Sequence, residues 1–131
     1  MAQSYQQFAA IEEFGPGGHV LRVFGDVDFP NAPAFEAAVR EVSAAVRDVL
    51  TIDLTECRYF DSSGITVLVR AHKTLGHRMR LLVLRDSIVF RIMQIANLDR
   101  LFTVVSALQQ RSAMKETRLV AEIEADRSLH S

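Results

Sequence analysis

A chain of 131 residues fits one domain with room for a hydrophobic core. Its 49% apolar and 24% charged residues exclude general disorder, and no apolar run approaches the roughly 20 residues that cross a bilayer. A net charge of −1 argues against a dedicated nucleic-acid domain, which is basic overall, so no direct nucleic-acid contact is expected.

The chain begins with the polar stretch Met1-Ala2-Gln3-Ser4-Tyr5-Gln6-Gln7, which lacks the basic start and apolar run of a signal peptide. A cytoplasmic protein without membrane insertion is the expectation. Phe8 to Phe14 and His19 to Phe24 read as strands joined by the turn residues Gly15-Pro16-Gly17-Gly18, hence a hairpin. Val20, Arg22 and Phe24 fall on one face of the second strand and Leu21 and Val23 on the other. Gly25-Asp26-Val27-Asp28 is expected to interrupt that strand.

Asn31 offers a capping side chain and Pro33 a first-turn proline, so a helix starts here. Phe35, Val39, Val42, Val46 and Val49 follow at steps of four and three, the stripe of a helix with one buried side. Val49 to Leu54 reads as a short central strand covered on both faces. Cys57 follows it; as the only cysteine it forms no internal disulfide, in keeping with a reducing compartment. Ser62 to Leu75 predicts a second helix, with Ile65, Leu68, His72 and Leu75 on one stripe and Gly76 ending it. Met79 to Leu84 is another apolar strand. Ser87 caps a third helix, whose stripe is read as Ile88, Ile92 and Ile95, with Asn97 in the left-handed position after it. Phe102 to Val105 completes the series as a short strand.

The order β-β-α-β-α-β-α-β implies an α/β fold with a mostly parallel or mixed sheet and helices packed on it. Residues 1–106 form the expected domain. Residues 107–131 read as a charged extension with sparse apolar residues, either a terminal helix lying on the domain or on a second subunit, or a mobile tail. A homodimer is one expectation that follows. Charge is uneven: Arg58, Arg70, Lys73, Arg78, Arg80, Arg85 and Arg91 outnumber Asp61 and Asp86 within 58–91, while the first 48 residues are acidic. A solvated helix face explains this basic stretch better than an acidic partner does.

Chemistry concentrates in Tyr59-Phe60-Asp61-Ser62-Ser63-Gly64-Ile65, where a buried strand meets a helix, the kind of edge at which ligand and regulatory sites collect. Hydroxyls at a helix N-terminus face unpaired N–H groups and the positive end of the macrodipole, so an added phosphate is tolerated there. Asp-Ser-Ser-Gly is also an ordinary capping sequence. Local residues leave both readings open.

The wider pattern resembles the STAS-domain anti-sigma factor antagonists. Leu50-Thr51-Ile52-Asp53-Leu54-Thr55 followed by Tyr59-Phe60-Asp61-Ser62-Ser63-Gly64-Ile65 is similar to their central signature. Gly25-Asp26-Val27-Asp28 resembles their Gly-Glu-Leu-Asp turn, with Asp26 in place of glutamate. Asn97-Leu98-Asp99-Arg100-Leu101-Phe102 resembles the segment leading to their last strand, with Asn97 where glycine is common. The resemblance implies a single STAS-like domain with a four- or five-stranded mixed sheet. It also implies a non-catalytic partner-switching role: binding to an anti-sigma factor that is also a serine kinase, which frees a sigma factor for transcription. Phosphorylation would release the antagonist and a Ser/Thr phosphatase would restore it, as in bacterial stress responses. The implied acceptor is Ser62, with Ser63 as the supporting second hydroxyl. Asp28 and Asp61 match the flanking acidic positions.

The expected binding surface comprises Asp28, Asp61, Ser62, Ser63, Gly64 and Thr66, with Arg70 beyond. No metal, cofactor or catalytic residue is expected. Cys57, His19, His72 and His77 are the only nucleophile or base candidates besides serines and carboxylates; His72 and His77, five apart, do not share a helix face. No HExxH, CxxC or G-x-S-x-G pattern occurs. Cys57 reads as a small buried apolar group and His72 as a partly buried structural histidine. Two other roles compete: a scaffold domain, or a ligand- or nucleotide-sensing module, in a larger regulatory or transport assembly.

Overall fold

The computed structural model describes residues 6–15, 18–107 and 116–124. Strands β1 (Gln6–Gly15) and β2 (Gly18–Val27) form the hairpin, paired antiparallel from Phe8↔Gly25 to Gly15↔Gly18. Helix α1 (Ala32–Ala45), strand β3 (Leu50–Phe60), helix α2 (Ser62–Leu75), strand β4 (Met79–Leu84), helix α3 (Ile88–Ile95) and strand β5 (Thr103–Ala107) follow, with a short 3-10 turn at Gly76–Arg78. A further strand, β6 (Glu116–Glu124), pairs antiparallel with β1.

The sheet thus has six strands in the order β5-β4-β3-β2-β1-β6, parallel from β2 to β5 and antiparallel at β1. This is the expected mixed α/β architecture with one strand more than the sequence suggested. The 116–124 stretch of the charged tail is a strand rather than a helix: Val120, Ala121 and Ile123 pack against the core while Leu119, Glu122 and Glu124 stay exposed, and the alternation breaks at Val120, where the pairing with β1 shifts register. The remainder of the tail lies outside the described residues.

One core holds the three helices on the sheet. Phe8, Ala10, Leu21, Val23, Leu50, Ile52, Leu54, Leu81 and Val83 face Phe35, Val39, Val42, Val67, Leu68, Val89 and Met93. Phe35 stands edge-on to both Phe8 and Phe60, each with ring centroids 6.3 Å apart. These edge-to-face rings hold the start of α1 over the hairpin and the end of β3. His72, as expected, is half-buried, with its ring edge-on to Phe102 at 5.5 Å.

Four local expectations are corrected. Gly25 does not end β2; the strand runs to Val27, and Gly25 absorbs an irregularity in the β2–β3 pairing with φ 90. Asn31 does not cap α1 with its side chain. Its Nδ2 donates to the Asp26 carbonyl at 3.0 Å, while Asp28 Oδ1 accepts from the Asn31 N–H at 3.2 Å. Val49 lies outside the helix stripe and is exposed, and β3 extends to Phe60 instead of stopping at Leu54. In α3 the buried residues are Val89 and Met93, whereas Ile88 and Ile95 are 47% and 75% exposed. Its sequence, IVFRIMQI, carries two apolar stripes. The Ser87 cap, whose Oγ accepts from the Phe90 N–H at 3.1 Å, fixes which one turns inward.

The basic residues of 58–91 sit on β3, α2, the 3-10 turn, β4, the β4–α3 turn and α3. Arg70 pairs with Glu36 at 3.1 Å, Arg58 with Asp26 at 3.5 Å, and Arg78 donates to the Val46 carbonyl at 3.1 Å.

Gly25 is irreplaceable on two counts: its φ is positive, and a Cβ there would collide with the Gln7 backbone carbonyl. Gly25→Ala is expected to destabilise the fold by about 3 kcal/mol, measured as a lowered denaturation midpoint at unchanged slope. An unchanged midpoint would show that the hairpin shifts freely at this point.

Candidate functional site at the carboxyl ends of β2 and β3

Adjacent parallel strands that end at one level place their following turns side by side. Val27 is the register partner of Phe60, and one residue on, the Asp61 N–H donates to the Val27 carbonyl at 3.2 Å. The β2–α1 turn and the β3–α2 junction are thus tied together at their roots.

On the β2 side Asp28 organises the turn. Its carbonyl accepts from Asn31 and Ala32 N–H groups at 3.1 and 2.9 Å, and its carboxylate reinforces the Asn31 contact. Phe29 stands at the tip, 78% exposed. On the β3 side Asp61 caps α2: its Oδ1 accepts from the Ser63 N–H at 2.8 Å, and its carbonyl accepts from Gly64 and Ile65 N–H at 3.0 and 3.2 Å. The cap is satisfied by the aspartate, so neither serine hydroxyl is consumed by that duty. Ser62, the first helical residue, is exposed, Ser63 is half-buried, and Thr66 is exposed with its hydroxyl donating to the Ser62 carbonyl at 3.0 Å.

Gly64 serves close packing. A methyl there would lie 2.6 Å from the Phe60 ring and 2.8 Å from Val27 Cγ1. The first turn of α2 is therefore pressed on the two strand ends, and Ser62 is held outward. Asp28, Asp61, Ser62, Ser63, Gly64 and Thr66, singled out from the sequence, converge here. Arg70 lies further along α2, tied to Glu36 of α1.

Sequence reasoning passed over the groove beside them. A depression of about 460 Å³ runs between the β2–α1 turn and α2, with Phe29, Pro30 and Pro33 on one bank and Ser63, Thr66 and Val67 on the other. Its signal was an aromatic residue between two turn-formers, Asp28-Phe29-Pro30, where burial has no partner to offer.

The nucleophile and base candidates lie elsewhere. His19 sits at the amino end of β2, 3.8 Å from Glu12 and edge-on to Phe14. Cys57 is buried on β3 and donates to the Tyr59 carbonyl at 3.2 Å; burial pushes its thiol up to about 12. Among the described residues no cluster of three or more His, Cys, Asp or Glu side chains is placed to hold a metal, and no helix is long and apolar enough to cross a membrane.

Two measurements probe this geometry. Gly64→Ala is expected to cost about 2 kcal/mol, since the methyl must displace a packed ring, and to lower Tm by roughly 8 °C. A variant as stable as the parent would mean that α2 is free to lift. Native Cys57 should react with iodoacetamide at pH 8 about a thousandfold more slowly than the denatured chain, because its thiolate fraction falls by that factor. Equal rates in the two states would overturn the buried assignment.

Comparison with known proteins places this arrangement. Residues 12–109 match the family model described as "Mlab, STAS domain". The anti-sigma-F factor antagonist RsfB of Mycobacterium tuberculosis is 31% identical over 93 residues, covering 70% of this chain and 76% of that protein. An anti-sigma-B factor antagonist of Listeria monocytogenes is 36% identical over 84 residues, covering 63% and 74%. The crystal structure of an anti-sigma factor antagonist from Mycobacterium paratuberculosis superposes with a TM-score of 0.69 at 26% identity, over 77% of this chain and 87% of that one. The unphosphorylated form of the anti-sigma factor antagonist SpoIIAA shares the fold, with a TM-score of 0.51 at 16% identity over 76% of this chain and 88% of that one. These relatives bear the names of regulatory antagonists and not of enzymes. The match over residues 12–109, together with these relatives, shows that the chain belongs to the STAS domain family.

Proposed function

We propose that this protein is an anti-sigma factor antagonist whose binding to an anti-sigma factor is switched off by phosphorylation of Ser62. The observation that carries the reading is the division of labour at the helix start: Asp61 does the capping, and Ser62 is exposed beside it. The names of the curated relatives support the class of partner.

A phosphate on Ser62 would add about −1.5 to −2 charges at pH 7 to an edge that already carries Asp61 and Asp28. The N-terminal N–H groups and macrodipole of α2 offset part of that charge within the chain, so the fold is kept. A partner surface shaped for a hydroxyl has no such compensation. It faces carboxylate and phosphate together and loses contact through repulsion and desolvation. The enzyme that adds the phosphate is a serine kinase, in this reading the anti-sigma factor itself, and a Ser/Thr phosphatase resets the switch. Ser63, half-buried and with its N–H held by Asp61, is the less accessible acceptor. The groove beside Ser63, with Phe29 on its rim, would supply the apolar part of the contact.

Tagged parent, Ser62→Ala and Ser62→Glu chains are compared by pull-down from the native cells, with co-purified proteins and phosphosites read by mass spectrometry. The alanine form should retain a kinase-like anti-sigma factor, and the glutamate form should lose at least tenfold of it. Equal retention by both would refute the switch. A single large assembly captured by both would favour a scaffold or transport role for the domain.

A further inference from the structure

Helices α1 and α2 pack beside each other on the sheet, and a groove of about 360 Å³ is left between them. Glu36, Val39, Arg40, Ser43 and Ala44 line it from α1, at the three- and four-residue steps of one helix face. Val67, Arg70, Ala71 and Thr74 line it from α2 by the same steps. The groove stays open because facing positions are small: Ser43, Ala44 and Ala71 have too little side chain to close it. Its floor is apolar, with Val39 and Val67 each 3% exposed. A concave apolar site of this size with a few polar groups at its rim has the form of a small-molecule site.

The rim carries a charge imbalance. Arg70 Nη1 donates to both oxygens of Glu36, at 3.1 and 3.2 Å, and so takes up that carboxylate. Arg40 stays 3.6 Å from Glu36 Oε2 and makes no hydrogen bond among the described residues. Two guanidinium groups thus face one carboxylate among the lining residues, and the fork of Arg40 is open to a second anion. A second unmet group lies nearby. Ser43, about one turn further along α1, has a hydroxyl closed off from solvent and without a hydrogen-bond partner. It lines the groove, so an anion seated there supplies the acceptor it lacks.

We infer that the α1–α2 groove binds an amphipathic monoanion, a medium-length aliphatic chain with a carboxylate head. The carboxylate accepts from Arg40 and Ser43 and balances the single excess charge, while the chain lies over Val39 and Val67 between the two alanines. A doubly charged phosphate monoester exceeds that balance, and an uncharged alcohol leaves the Arg40 fork unmet. The groove shares Glu36, Val67 and Arg70 with the depression beside Phe29, so its occupant lies next to the surface at Ser63 and Thr66. The inference is independent of the switch at Ser62.

The full chain is titrated with octanoate, kept below its micellar range, in an isothermal calorimeter. One saturable site is expected, with affinity rising about fourfold per methylene from hexanoate to octanoate as each added CH₂ is buried. Octanol, which lacks the charged head, should bind about tenfold more weakly than octanoate. Arg40→Ala alters a side chain 78% exposed, so the fold is kept, and octanoate affinity should fall about tenfold. Ala44→Leu, also at an exposed position, fills the groove and should abolish binding. A parent without saturable binding overturns the inference. So does binding that both variants leave unchanged, or binding that does not separate octanoate from octanol. A parent that light scattering shows to be a dimer, and that Ala44→Leu returns to a monomer, would place a second copy in the groove and equally overturn it.

Discussion

The parallel pairing of β2 with β3 is the constraint on which the site depends. Two strands can place their following turns together only if they run the same way and end at the same level, and the Val27↔Phe60 register with the Asp61 N–H on the Val27 carbonyl meets both conditions. Parallel neighbours require a crossover, which α1 supplies. The hydrophobic stripe of α1 is thus what brings Asp28 and Asp61 to one edge, although neither residue belongs to it. Substituting its core residues would disturb the site indirectly, through the level at which the strands end.

A second organising element is electrostatic. Arg22, on the face of the sheet opposite the core, is 8% exposed and lies 3.1 Å from Glu13, 3.4 Å from Glu56 and 3.7 Å from Asp53, with its guanidinium 5.1 Å from the Phe24 ring centroid. These groups span β1, β2 and β3. A buried cluster of this kind contributes little net stability relative to apolar packing, but it penalises any slip in register by stranding charge. The hairpin and the parallel pair are thereby held in mutual alignment.

Much of this was legible in the sequence, for physical reasons that differ by element. The 14-residue helix α2 and strand β4 have the bounds that periodicity and the Gly76 stop imply. Their apolar pattern matches a single period, so local and tertiary preferences agree. The short helix α3 was found, but its inward face was not, because an eight-residue segment with two apolar stripes leaves the phase to the cap. The Asn31 side chain was drawn to a strand carbonyl instead of its own helix, which no local rule foresees. Strand β6 was missed because its partners lie more than 100 residues away: Arg118 reads as solvated tail until Glu12 is placed beside it. At the site, the capping aspartate and the exposed serine could be read directly, whereas the groove beside Phe29 exists only once α1 and α2 converge.

The close seat of Gly64 against Phe60 and Val27 has a bearing on how fast and how cleanly the surface is recognised. A first turn seated this closely has little room to rock, so little association free energy would be spent on ordering it if a partner docks here as proposed. Under the proposed switch, docking is near-rigid, and the affinity difference that a phosphate on Ser62 would produce lies mainly in the lifetime of the complex. The smallest side chain in the segment sets the stiffness of the whole edge.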